Sequence, residues 1–293
     1  MLDRVRAWLA GRFEPPGPRF VIHRQYDIGH ATGDYDGRRP FRILSYLQHR
    51  RLLHRGMVHR PRPASLKRLQ TVHDSAYLHS LEETGALTGI LGAPVDPASQ
   101  DRFLAFQRAL CGGTLRATRL ARRRKHVAMN LGGGLHHAAR DRGSGYCVFN
   151  DVALAVAALR ESDRRLPVLV VDLDLHDGDG TREIFADDTT VHTFSIHNRD
   201  LGTTQAVAST SIALGTNVED ATYLAALREH LPPVVEAFRP GFVFYLAGAD
   251  PNVHDRVGDW RISLDGLLAR DRFVFEQIGL DRRRGGDIPC VVL

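Results

Sequence analysis

The sequence predicts an α/β fold of three layers, a parallel β-sheet flanked by helices, and three observations lead there. Short apolar runs at 126–131 (HVAMNL), 167–173 (PVLVVDL), 191–196 (VHTFSI), 242–246 (FVFYL) and 288–293 (IPCVVL) lack the polar alternation of a half-exposed strand. Strands buried on both faces read this way, and parallel sheets bury both faces. Between the runs lie helical patterns at 151–160, 181–185, 221–238 and 264–278. Strand and helix alternating at this spacing make parallel crossovers. Four of the strands are followed by segments dense in histidine and aspartate: GGGLHH, DLDLHDGDG, HNRD and AGAD.

Taken in order, residues 1–18 are an N-terminal extension. Charges interrupt its short apolar stretch, so it does not read as a signal peptide. Residues 19 to about 110 read as helices and loops, with a Gly/Asp-rich loop at 29–37. A helical stretch then ends in Arg116, Arg119, Arg122, Arg123, Arg124 and Lys125. Cations near a helix C-terminus are favourably placed, and no aromatic residues interleave them as a nucleic-acid platform wants. The cluster therefore reads as a solvated helix face, with no direct nucleic-acid binding expected. No linker divides residues 19–293, and 293 residues with 43% hydrophobic content can build one large core.

Cys111, Cys147 and Cys290 are too few and too scattered for a disulfide framework or a CxxC zinc site, which favours a reducing, cytoplasmic setting. No apolar run reaches the length that spans a bilayer, so no membrane partner is expected. The GGG run at 132–134 lacks the GK[ST] or GxGxxG context of a phosphate loop.

Ligands of open parallel sheets bind beyond the carboxyl ends of the strands. At such an end Asp172, Asp174 and His176, spaced two apart, project to one face. A mixed oxygen and nitrogen donor set suits zinc or another divalent transition metal. A catalytic ion needs a further ligand from another strand, for which Asp250 is the best candidate, and one of the three clustered residues then stands behind the ligands. His136 and His137 follow the glycine run. Adjacent imidazoles there can serve as general base and general acid toward a hydrolytic water, with Asp172 and Asp179 available to fix their tautomers.

These residues fall in motifs that resemble the histone deacetylase superfamily: GGGLHHA (132–138), GYCVFND (145–151), VDLDLHDGDGT (171–181), FSIH (194–197) and LAGADP (246–251), in that order. The wording is closest to the prokaryotic and class IV-like branch, which includes acetylpolyamine amidohydrolases and acetoin-utilisation-type members. The resemblance runs from about residue 20 to the last residue and implies the arginase/deacetylase fold. It implies Asp174, His176 and Asp250 as zinc ligands, with ferrous iron as the alternative ion. It makes His136 and His137 the catalytic pair, backed by Asp172 and Asp179, and has Gly145 and Tyr146 line the substrate tunnel. A structural potassium ion is implied at Asp172, Asp174, His176, Ser195 and the Ile196 carbonyl, and a second monovalent cation near Phe185, Asp188, Val191 and Tyr223. The implied reaction is hydrolysis of an acetylated amine, either acetyl-lysine of a protein or a polyamine-like molecule, releasing acetate.

Two departures stand out. The family follows its last strand here with a glycine-rich loop bearing a tyrosine that donates to the oxyanion, whereas this chain stops at Leu293. The expectation is that the native chain continues, and that the 293-residue form binds metal but turns over slowly, since an oxyanion donor is worth roughly 10²–10³ in rate. The loop at 198–211 (NRDLGTTQAVASTS) also has no aromatic residue, which predicts an open or one-sided tunnel. These departures keep a metal-containing pseudo-deacetylase that acts as a binding module as an alternative, with an arginase-like, two-metal ureohydrolase behind it. Oligomeric state is not legible in the sequence.

Overall fold

Val168–Asp172 (β4) is the reference strand of the fold: all five residues are buried, as an apolar run without alternation requires. In the computed structural model, which describes residues 17–28, 37–54, 56–124, 127–279 and 288–293, β4 pairs in parallel with two strands. These are Val191–His197 (β5) and Phe242–Leu246 (β7). Five more strands complete the sheet: Arg19–Val21 (β1), Val58–His59 (β2), Val127–Asn130 (β3), Ser209–Ala213 (β6) and Cys290–Val292 (β8). Their order is β2-β1-β3-β8-β7-β4-β5-β6, parallel at every pairing, so all carboxyl ends share one rim.

The helices are Arg39–His49 (α1), Leu66–Leu69 (α2), Ser75–Ser80 (α3), Thr88–Leu91 (α4), Pro97–Arg124 (α5), Asp151–Arg160 (α6), Asp179–Ile184 (α7), Asp220–Phe238 (α8) and Leu264–Gln277 (α9). Alternation along β4 sorts them into layers. Val168 and Val170 enter a core with Phe106 and Leu110 of α5 and Leu154 of α6. Leu169 and Val171 enter a second core with Tyr223 and Leu227 of α8 and Val274 of α9. Two caps start helices where the sequence changes period: Asn150 accepts from the Ala153 amide before α6, and Ser263 accepts from the Gly266 amide before α9.

Most predicted elements form. The 242–246 strand and the 151–160 helix match residue for residue, and the other boundaries move by one or two positions. Among the described residues the sheet, however, has eight strands where five were read. β1 and β2 lie in the region expected to be helical and loop-like; at three and two residues they are too short to carry a pattern. β6 is a half-exposed edge strand, STSIA, whose small polar residues around a single isoleucine read as loop. Residues 1–16 of the N-terminal extension, 29–36 of the Gly/Asp-rich loop, Lys125, and His126 of the predicted 126–131 strand lie outside the described residues. Arg119, Arg122 and Arg123 are exposed on α5, and Arg122 bonds Ser162 beyond the neighbouring α6, in keeping with a solvated face. Among the described residues no helix is long and apolar enough to cross a membrane.

Candidate metal centre and active site

The rim gathers side chains from three strand ends. After β4 the chain runs Leu173, Asp174, Leu175, His176: both leucines are buried in the second core, and the alternating polar residues face the other way. After β7, Asp250 reaches back, and its Oδ1 accepts from the Leu175 amide at 3.2 Å. The result is one convergent cluster, with ligand-type atoms of Asp174, His176 and Asp250 all within 4.8 Å of one another. His176 Nδ1 lies 3.1 Å from Asp174 Oδ1 and 3.0 Å from Asp250 Oδ2.

The electrostatics test whether this cluster suits a cation. The hydrogen bonds to Asp174 and Asp250 raise the His176 imidazole to about 10. Burial, and then the negative charge of Asp174, push Asp250 up to about 6. Burial also pushes Asp174 upward, but the charges and hydrogen bonds of His136 and His176 outweigh it and hold that carboxyl well below the usual range. Two carboxylates forced together with an imidazole are costly unless positive charge is shared among them. A divalent cation meets that need, and the O, N, O donor set leaves a coordination position free for a reactant.

The histidine pair is built from β3 and the loop after it. The buried Asp151, first residue of α6, accepts from the Gly134 and Leu135 amides at 3.1 and 2.7 Å. The His136 carbonyl accepts from the Thr181 amide at 2.9 Å. So anchored, the two rings stand 4.1 Å apart. His136 Nδ1 is 2.8 Å from Asp172 Oδ2, and its Nε2 faces Asp174 Oδ1 at 3.8 Å. His137 Nδ1 is 2.8 Å from Asp179 Oδ1, and its ring is 5.9 Å from that of His176. A carboxylate on Nδ1 fixes that proton there and turns Nε2 toward the site.

The two imidazoles are tuned in opposite directions. Burial pushes His136 down, but the charges of Asp172 and Asp174 win and raise it to about 10. Burial and the neighbouring charge of His136 lower His137, and Asp179 offsets only part of this. One ring thus holds its proton more tightly than a free imidazole and its neighbour less tightly, a division of labour that acid–base chemistry uses.

Gly145 and Tyr146 stand beside the pair. Gly145 has φ +51°, and a Cβ there would sit 2.4 Å from His137 Cδ2, so only glycine fits. The Tyr146 amide donates to the Ile90 carbonyl, and its own carbonyl accepts from the Gln107 side chain at 3.0 Å. The Tyr146 ring is 44% exposed, too open to form a closed wall by itself.

Of the potassium set, Asp172 and Ser195 are paired across β4 and β5 and Ile196 follows, close to the Asp174 loop. The second set does not assemble. Phe185, Asp188 and Val191 share one turn, with the Asp188 amide on the Phe185 carbonyl at 3.0 Å and the Asp188 carboxylate engaged by Arg160 and Thr190. Tyr223 lies across the sheet in the other core, against Trp260 at 5.3 Å, because the buried face of α8 packs on the second layer.

The sequence reading assigned no role to Asp177, Arg182, His197 or Asp200. Arg182 holds Asp177 through both oxygens, at 2.5 and 2.7 Å. His197 sits 3.7 Å from Asp177 and 3.1 Å from Asp200, and Asp177 also accepts from the Leu201 amide at 3.1 Å. The usable signal was the same alternation that selects His176: its neighbour Asp177 must point away from the cluster. Asp151 was likewise quoted in a motif without its anchoring role.

Comparison with known proteins shows the family and the fold. The histone deacetylase domain family matches residues 36–283. An uncharacterised protein of Picosynechococcus sp. is 34% identical over 228 residues, 75% of either chain. Histone deacetylase 2 of Arabidopsis thaliana is 33% identical over 93% of this chain and 72% of its own length. Crystal structures of an HDAC homologue from Aquifex aeolicus and of an HDAC homologue complexed with SAHA share the fold, with TM-scores of 0.77 and 0.75 at 22% identity, over 94% of this chain and 79% of each neighbour. By the match along most of its length, the chain belongs to the histone deacetylase family.

Proposed function

We propose that the chain hydrolyses the amide of an N-acetylated amine, an acetyl-lysine or a polyamine-like molecule, with one divalent ion, zinc or alternatively ferrous iron, held by Asp174, His176 and Asp250. The carrying observation is the pair of aspartate-backed histidines, tuned in opposite directions, beside a cluster of two carboxylates and an imidazole. Bound there, zinc would supply Lewis acidity to the amide carbonyl and to the attacking water. His137, lowered by burial and by the charge of His136 and oriented by Asp179, accepts the water proton at Nε2 as the C–O bond forms. His136, kept protonated by Asp172, faces the charge that develops on the carbonyl oxygen. As the C–N bond breaks, His137 returns its proton to the leaving amine, and acetate remains.

The same reading assigns a structural potassium ion to Asp172, Asp174, His176, Ser195 and the Ile196 carbonyl. It assigns Gly145 and Tyr146 to the substrate channel. Three free, buried cysteines fit a reducing, cytoplasmic setting. A second reading, a metal-containing binding module, draws on the exposed Tyr146 ring and the aromatic-free loop after β5. A ureohydrolase reading is disfavoured because residues 36–283 match the histone deacetylase domain family.

A fluorogenic acetyl-lysine peptide and an acetylated diamine, each assayed with and without zinc and SAHA, separate these. The expected result is zinc-dependent acetate release blocked by SAHA. Tight SAHA and zinc binding with no release from either substrate would favour the binding module.

A further inference from the structure

Arg270 lies in the middle of α9 and is 2% exposed. Its NH1 donates to the Gly248 carbonyl at 2.7 Å and to the Leu173 carbonyl at 3.3 Å. Its Nε donates to Asp271 Oδ1 at 2.8 Å, and the same oxygen accepts from the Tyr245 hydroxyl at 2.5 Å. The charge is thus faced by a carboxylate, and Nε and NH1 both have hydrogen-bond acceptors, which a buried guanidinium requires. The positions of the two carbonyls matter most. Leu173 immediately precedes Asp174, and Gly248 stands two residues before Asp250. One nitrogen therefore ties together the ends of β4 and β7, the two strands whose loops carry the carboxylates. The loops are pressed close there: a Cβ on Gly248 would come 2.6 Å from Asp174 Cα.

We infer that Arg270 is a positioning residue that fixes the spacing of Asp174 and Asp250 through the Leu173 and Gly248 carbonyls, and so sets the affinity and geometry of the cation they hold. The inference rests on the reading of Asp174, His176 and Asp250 as a metal site. A planar guanidinium can serve two carbonyls and a carboxylate at once, whereas a lysine ammonium at the end of a flexible stem lacks that fork. Groups that orient ligands from behind are worth roughly 10–100-fold in metal affinity.

The test is zinc affinity by chelator competition, with the absorption bands of the cobalt-substituted protein as a readout of ligand geometry, in wild type, Arg270→Lys and Tyr245→Phe. Tyr245→Phe removes the hydroxyl bond to Asp271 but leaves both carbonyl bonds, so it controls for general loosening of the core. Arg270→Lys should bind zinc roughly 10–100-fold more weakly and shift the cobalt bands. Tyr245→Phe should lower the unfolding midpoint while matching wild type in both metal readouts. If Arg270→Lys does not fold, Arg270→Gln gives the same comparison, since its shorter side chain cannot reach both carbonyls. Wild-type affinity and unchanged cobalt bands in the Arg270 variant would overturn the inference alone, as would an equal loss in Tyr245→Phe. A wild-type chain that takes up no zinc would overturn the metal reading and this inference with it.

Discussion

Among the described residues, two clusters of the same make-up meet at adjacent positions of the chain: Asp174, His176 and Asp250 on one side, Asp177, His197 and Asp200 on the other. Each offers two carboxylates and an imidazole with ligand-type atoms within 4.8 Å. They differ in what balances the charge. The second has a built-in cation, the Arg182 guanidinium on both oxygens of Asp177. The first has no guanidinium on its carboxylates, which among the described residues pair only with the imidazoles of His136 and His176, and it alone faces the tuned histidine pair. Residue types at ligand spacing therefore do not make a metal site; a site also needs its positive charge left unsupplied by the chain. Damage to the first cluster should cost rate and metal, and damage to the second should cost stability.

The largest expected effect is on rate. His137→Ala removes the proton carrier and should lower kcat by roughly 10²–10⁴ while leaving the unfolding midpoint near wild type. A large loss of stability with kcat intact would reverse the assignment of roles. On the other side, Asp177→Asn leaves Arg182 buried without its partner and should cost about 3–5 kcal/mol in urea unfolding. That variant should still bind zinc well below its midpoint, and loss of metal without loss of stability would erase the distinction between the clusters.

Legibility in the sequence followed the same divide. Alternation placed Asp174 and His176 on one face because strand geometry is local, and Asp250 follows the 242–246 strand onto the same rim. The partner that neutralises Asp177 is five residues on, on a short helix, and the loop it restrains at Leu201 is 24 residues on. Nothing periodic links those positions. Arg270 was equally hidden: 97 residues separate it from Leu173, and within α9 it reads as one more surface cation. The edge strands β2 and β6, and β1 beside β2, were missed for a related reason, since neighbours in space and not composition make them strands.

Two smaller effects sharpen the comparison. Asp179→Asn weakens the orientation of His137 without touching substrate, so kcat should fall roughly 10–100-fold with KM little changed. Unchanged kcat would remove Asp179 from the mechanism. The pH response should be milder still. Burial pushes Asp177 up, but hydrogen bonds from Arg182 and the Leu201 amide, with the charges of His197 and Arg182, hold it below the ordinary carboxylate range. A depressed folded value means the stabilisation is complete above about pH 4 and is lost as pH falls through the folded value. Between about pH 5 and about pH 3 the urea midpoint of wild type should therefore drop more than that of Asp177→Asn. Parallel pH profiles would show that the Arg182 pair contributes nothing.

The most direct test of the central claim is zinc content per folded chain, measured side by side in wild type, Asp250→Ala and Asp200→Ala after equilibration with zinc and desalting. One zinc per chain is expected in wild type and in Asp200→Ala, and almost none in Asp250→Ala. Full zinc retained by Asp250→Ala, or zinc lost from Asp200→Ala instead, would contradict it.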